Sequence, residues 1–201
     1  AGQKVTSSSG TGKVLSDQEL EHERKLNLAV FEYSQQAHQT ISMKQLIQFG
    51  SNVSTNSLLE GARWLHRELQ IRLAKQVKYL NEMPKGLNLM PSVKVVREWY
   101  MESFKQICET KVPKNYQEQL EFVEVLQDIY ERHAPTAINV AKGVHELKLE
   151  YAYSVFKSLN LVDLSQYGDL HNSLDNFYIN RIGMRTLIGQ HLQLQKQFLK
   201  D

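Results

Sequence analysis

The sequence predicts an all-α protein, an antiparallel four-helix bundle with additional short N-terminal helices. Two observations predict it. Long stretches carry apolar residues at steps of three and four, the spacing that places them on one helical face. The 201 residues contain 10 Gly and 4 Pro, and long stretches carry neither, which disfavours a many-turned β fold.

The elements follow in order. Residues 1–16 form a polar arm around Ser7-Ser8-Ser9-Gly10-Thr11-Gly12, too poor in apolar surface to order itself. Residues 17–201 form the bundle. Ser16-Asp17-Gln18-Glu19 is a helix start, with Ser16 as N-cap and Glu19 at the third helical position, and the helix runs to about His38. A short helix covers Ser42 to Phe49 and stops at Gly50. Ser57 caps a long helix whose inward residues are Leu59, Ala62, Leu65, Leu69, Leu73, Val77 and Leu80. Pro84 and Gly86 end it.

Ser92 opens the next helix, with Val93, Val96, Tyr100, Phe104 and Ile107 inward. Another begins near Asn115 and carries Phe122, Leu126, Ile129, Tyr130 and His133, until Pro135 interrupts or bends it. Helical spacing resumes with Ala137, Val140, Ala141, Val144, Tyr151, Ala152 and Val155. Asn160 to Gly168 is a connection, and the last helix runs from His171 to about Leu199. Four long helices with short connections favour antiparallel neighbours.

Composition removes several function classes. Hydrophobic residues make up 41% and charged residues 23%, ordinary for a globular chain. A net charge of +2 without a local run of like charge gives no case for nucleic acid. No stretch approaches 18 consecutive apolar residues, so no transmembrane segment is expected. The single cysteine, Cys108, rules out an internal disulfide and a cysteine-based zinc cluster. With apolar helical neighbours it reads as a buried inert thiol rather than a nucleophile.

Three motifs fail on inspection. Gly10-Thr11-Gly12-Lys13 is not a phosphate loop, because Ser7 stands where the first Gly belongs and Val14 where Ser or Thr belongs. His145-Glu146 is not a zinc-protease signature, because Leu149 stands four positions after His145. Glu21-His22-Glu23 are consecutive on a helix and point in different directions, so they read as solvated surface. No metal and no cofactor is expected.

The last predicted helix carries the unusual chemistry. Arg181 and Arg185 lie one turn apart on a face shared with Phe177, Tyr178, Ile188 and Leu192. Two cations on an apolar face require acidic partners, because an unpaired buried charge is costly. Either a carboxylate such as Glu146 or Asp175, or a bound anion, would serve.

The stretch Phe177-Tyr178-x-x-Arg181-Ile182-x-x-Arg185-x-Leu187-x-x-Gln190-His191 resembles the last N-terminal helix of the mitochondrial 2-oxoacid dehydrogenase kinases, the pyruvate and branched-chain ketoacid dehydrogenase kinases. Other segments resemble the same family in order. They are Ser42-Met43-Lys44-Gln45 with Phe49-Gly50, Arg67-Glu68-Leu69-x-Ile71-Arg72-Leu73-Ala74, Trp99-Tyr100 with Ser103, and Arg132-His133 followed by Ala141-x-Gly143-Val144-x-Glu146. The resemblance covers about residues 40–195. Gln70 departs from it where the family usually has Pro.

The resemblance implies the family's helical regulatory domain, which docks on lipoyl domains and holds a small-anion pocket. Carried over by position, that pocket comprises Leu73, Tyr100, Ser103, His133, Arg181, Met184 and Arg185. Tyr130 departs from the pattern where the pyruvate kinases usually carry Arg. The family's catalysis resides in a following ATP-binding domain, and no Asp-x-Gly-x-Gly occurs in these 201 residues.

The expectation is therefore a non-enzymatic chain of the mitochondrial matrix or the matrix face of the inner membrane. It would be a structural or interaction subunit among other protein subunits, an accessory subunit of a respiratory or ATP synthase complex being one such place. The alternatives are a regulatory fragment of a genuine kinase, docking lipoyl domains and binding a small anion, and a free-standing binder of 2-oxo acids or lipoyl domains.

Overall fold

The computed structural model describes residues 17–42, 44, 45, 47, 50, 53–158 and 168–200. The arm at 1–16, half of the predicted short helix and most of the connection before Gly168 lie outside the described residues. Of the short helix, positions 44, 45, 47 and 50 are helical. Ser42 and Gln45 exchange side-chain and backbone hydrogen bonds of 2.8 to 3.3 Å at its start.

Among the described residues the structure is all-α. Its helices are α1 (Asp17–Ser34), α2 (Thr55–Asn81), α3 (Pro91–Glu109), α4 (Tyr116–Arg132), α5 (Thr136–Ser158) and α6 (Gly168–Phe198), with a 3-10 segment at Pro84–Leu89. Helix α2 is central and packs against α1, α3, α4 and α6, while α5 packs on α3 and α4 packs on α6. Its fully buried Leu69, Leu73, Ala74 and Val77 meet Val96, Tyr100 and Phe104 of α3, Leu126 of α4 and Phe177, Met184 and Ile188 of α6 in one core. At roughly 1.5–3 kcal/mol for each large apolar side chain removed from water, this core dominates the stability of the fold.

Several predicted boundaries shift for local reasons. Helix α1 ends at Ser34, not His38. The Ser34 hydroxyl donates to the Phe31 carbonyl (2.8 Å), and the chain then leaves the helix to run across α2. Ser54, not Ser57, is the N-cap of α2. Its extended backbone lets its Oγ accept from the Ser57 amide, and the Ser54 amide in turn donates to Ser57 Oγ.

Helix α3 begins with Met90 as cap and Pro91 as first residue, where a missing N–H costs nothing. Ser92 instead donates its amide (3.0 Å) and hydroxyl (2.6 Å) to the Glu146 carboxylate, which caps α3 from α5. Those bonds, the hydroxyl's first, hold the Glu146 carboxyl below its ordinary range. Helix α4 begins beside Asn115 as predicted, and Asn115 is its N-cap, the side chain accepting from the Glu118 amide (2.9 Å).

Helix α5 buries part of the predicted face, with Val140 buried and Val144 and Tyr151 packed on the core. Thr136, Val140, Gly143 and Leu147 are buried, while Ala141 and Ala152 are exposed. Gly143 sets this rotation. A Cβ there would lie 2.5 Å from Val93 Cγ2, so α5 approaches α3 along its glycine. Cys108 also departs from expectation, being exposed. Partial desolvation of its sulfur, with Glu109 beside it, raises the thiol to about 11, so it stays protonated at neutral pH.

Candidate functional site

The seven residues carried over by resemblance converge from four places in the fold. Leu73 comes from α2, Tyr100 and Ser103 from α3, His133 from the turn after α4, and Arg181, Met184 and Arg185 from α6. Leu73, Tyr100, Ser103, His133 and Met184 are buried, and the two arginines are half-buried.

Burial of so many polar groups requires partners. Ser103 Oγ and His133 Nε2 share a hydrogen bond of 3.0 Å, and the His133 ring stacks against Tyr100 with centroids 4.1 Å apart. Arg132 donates to Ser103 Oγ (2.8 Å) and to Gln106 Oε1 (2.9 Å), and pairs with Glu102 at 3.3 Å. Burial lowers His133 to about 4, with the Arg132, Arg185 and Arg181 cations adding to it, so the imidazole is neutral at pH 7. Burial likewise raises the Tyr100 phenol far above its ordinary value.

The arginine pair meets neither a Glu146 nor an Asp175 carboxylate. Arg181 donates to the carbonyls of His133 (3.3 Å) and Ala134 (3.5 Å), and Arg185 donates to the Tyr130 carbonyl (2.8 Å). The Tyr130 carbonyl lies in the last turn of α4 and those of His133 and Ala134 in the turn that follows, and cations suit the negative end of a helix dipole. The Arg185 guanidinium also lies 3.9 Å from the centroid of the Tyr130 ring. Tyr130 packs over Gly189, where a Cβ would come within 3.4 Å of the ring.

Four buried polar atoms in this region have no hydrogen-bond partner: Tyr100 OH, His133 Nδ1, Thr136 Oγ1 and Arg181 Nε. The Thr136 hydroxyl lies close enough to Tyr100 to moderate its phenol, yet out of alignment for a hydrogen bond. Thr136 belongs to the cluster although the sequence did not single it out. Its place after Pro135, at the first turn of α5, was the available signal.

Two clefts open on α6. One, of about 740 Å³, is bordered by Tyr130, Arg181, Arg185 and Gln190. The other, also about 740 Å³, lies between Gln39, Thr40, Ile41 and Gln45, the start of α2 and the end of α6. Trp64, Leu65, Leu187 and Leu194 supply its apolar surface, and Glu60, Arg63, Arg67 and His191 its polar groups. His191 is lowered to about 4 by burial, and its Nε2 lies 3.4 Å from Gln119 Nε2.

Comparison with known proteins agrees with this architecture. The family described as mitochondrial branched-chain alpha-ketoacid dehydrogenase kinase matches residues 40–201. The mitochondrial pyruvate dehydrogenase (acetyl-transferring) kinase of Arabidopsis thaliana is 35% identical over 154 residues, 77% of this chain and 39% of that protein. Human isozyme 3 is 35% identical over 164 residues, 81% of this chain and 38% of that protein. Mouse isozyme 4 is 33% identical over 162 residues, 80% and 37%. The chain thus spans less than two-fifths of the length of these relatives, and their names support a mitochondrial location. The match over residues 40–201, most of the chain, places the chain in the mitochondrial branched-chain alpha-ketoacid dehydrogenase kinase family, as a counterpart of the regulatory N-terminal domain.

Proposed function

We propose that this chain works by protein contact rather than by chemistry, as a non-catalytic interaction subunit of a mitochondrial multi-subunit assembly, derived from a kinase regulatory domain. The observation that carries the reading is a second apolar face on α5. Its inner face packs on α3, yet Ile138, Leu149 and Tyr153 stand 74%, 58% and 68% exposed on the outer side. Steps of eleven and four residues align them in one stripe, which exposed Ala141 and Ala152 flank. Lys142 and His145 share this face between Ile138 and Leu149, so it is a mixed surface of exposed apolar and polar side chains, the composition a protein contact uses. The inward bonding of Arg181 and Arg185 agrees with it, since the cluster then serves as internal structure. An accessory place in an inner-membrane respiratory or ATP synthase complex, on the matrix side, is the finer form of this proposal.

The test is the native assembly with Ile138→Glu and Leu149→Glu combined. The variant should keep its helical content and drop out of the large complex on native electrophoresis. Retention in the complex would overturn the role of this face. A reading frame that continues past Asp201 into an ATP-binding domain would overturn the non-catalytic reading itself.

A second reading is favoured by a different observation, the four unpartnered polar atoms around Tyr100. In it the chain regulates a 2-oxoacid dehydrogenase, docking lipoyl domains in the α2–α6 cleft and binding a small 2-oxo acid through Tyr100, His133, Arg181 and Arg185. Calorimetry with pyruvate or dichloroacetate distinguishes it. Saturable heat, abolished by Arg181→Ala, supports regulation; no heat supports the structural role of the cluster.

A further inference from the structure

We propose that residues 36–41 are a gating strap over the cleft between α2 and α6, locked to α2 through Gln39. The proposal rests on that cleft receiving a partner group, and it adds how access is controlled. Gln39 makes three hydrogen bonds to three residues of α2. Its amide donates to Glu68 Oε2 (3.2 Å), its carbonyl accepts from Arg72 (2.8 Å), and its side-chain oxygen accepts from Trp64 Nε1 (2.7 Å). One residue earlier, His38 Nδ1 lies 3.2 Å from Lys75 Nζ. Gln39, Thr40 and Ile41 then line the cleft.

Little else holds this segment. Gln36, Ala37, Gln39 and Thr40 are exposed, and Ile41 is only half-buried. Apolar burial therefore contributes little, and a segment fixed by a few polar bonds opens at low cost compared with the core. The lock itself favours two states. Beneath the strap, Glu68 and Arg72 pair at 2.9 Å with side chains only 4% and 8% exposed. Closed, the strap shields this pair and the pair satisfies its backbone. Open, water reaches both charges and repays the desolvation that closure imposed. Arg72 also approaches α6, its NH1 lying 3.3 Å from where a Cβ on Gly183 would stand, so one guanidinium sits between the strap and α6.

The experiment uses the full chain in a Trp99→Phe background, which leaves Trp64 as the sole tryptophan. Hydrogen exchange follows residues 36–41, and energy transfer from Trp64 to 8-anilinonaphthalene-1-sulfonate follows cleft occupancy. Gln39→Ala removes the Trp64 bond and keeps the backbone pair, and should speed strap exchange by roughly fivefold, the loss of about one hydrogen bond. Glu68→Gln should speed it by roughly tenfold or more while α3 and α4 exchange unchanged. Dye affinity should change at least threefold in step with strap exchange. Strap amides that exchange only with the core would overturn the proposal, as would faster exchange with unchanged dye affinity. Because Glu68 is buried, Gln39→Ala decides the matter if Glu68→Gln does not fold. The dye needs no natural partner, so failure to find one would leave this result intact.

Discussion

Arg185 stacks its guanidinium 3.9 Å from the centroid of the Tyr130 ring and donates a 2.8 Å hydrogen bond to the Tyr130 carbonyl. One residue thus gives α6 both a ring and a carbonyl on α4 to hold. The resemblance expects Arg at position 130, where a second cation would repel Arg185. Tyr130 converts that repulsion into packing. Tyr130→Ala and Arg185→Ala should each cost about 1–2 kcal/mol, and the double variant should fall short of their sum by about 0.5–1 kcal/mol. Urea unfolding of the four proteins measures this. Additive losses would mean the stack contributes nothing.

Acid should destabilise the fold through two histidines. Burial lowers His133 and His191 to about 4 in the folded chain, against 6.5 when unfolded. Between these values the unfolded chain binds protons that the folded chain does not. The stability contribution is therefore whole above pH 6.5 and is lost as pH falls toward 4. By pH 5 each histidine accounts for a loss on the order of 2 kcal/mol. Urea midpoints at pH 7.5 and 5.0 test it, and His191→Gln should remove its share of the slope.

Gly143→Ala should destabilise despite its gain in helix propensity. Propensity favours Ala by about 1 kcal/mol. Against it stands a Cβ placed 2.5 Å from Val93 Cγ2, on a β-branched side chain with little rotamer freedom. Overpacking of about 1–3 kcal/mol should outweigh it, for a net loss of up to about 2 kcal/mol in thermal unfolding. Adding Val93→Ala should cancel the steric part.

Lys85→Gly should stabilise. Lys85 holds φ at 60°, in the left-handed region, between Pro84 and Gly86 (φ 84°). Its carbonyl accepts from Tyr151 OH at 2.9 Å, which ties the turn to α5. Relief of the side-chain strain should raise the unfolding free energy by about 0.5–1 kcal/mol, less whatever extra backbone freedom Gly gains when unfolded.

Much of this arrangement was legible in the sequence. Steps of three and four located the inward faces of α2, α3 and α4, because those helices bury one stripe against a single core. Position α5 misled, because Ala141 and Ala152 match the inward spacing while a glycine decides the rotation, and periodicity weighs side chains rather than their absence. The cluster around Tyr100 was legible through the resemblance, and the arginines through their spacing. Their partners were not, since backbone carbonyls at the end of α4 carry no residue signature. The strap was missed altogether. Its signal was present in Glu68 and Arg72, an i, i+4 charge pair on the same helix face as Leu65, Leu69 and Leu73.

On the reading proposed above, this family member acts by joining an assembly. Affinity purification of the tagged full chain from intact mitochondria under non-denaturing conditions, followed by identification of stoichiometric partners, tests it most directly. The expected result is a stable multi-subunit complex other than a 2-oxoacid dehydrogenase. Recovery as a free monomer, or only with a dehydrogenase core, would contradict it.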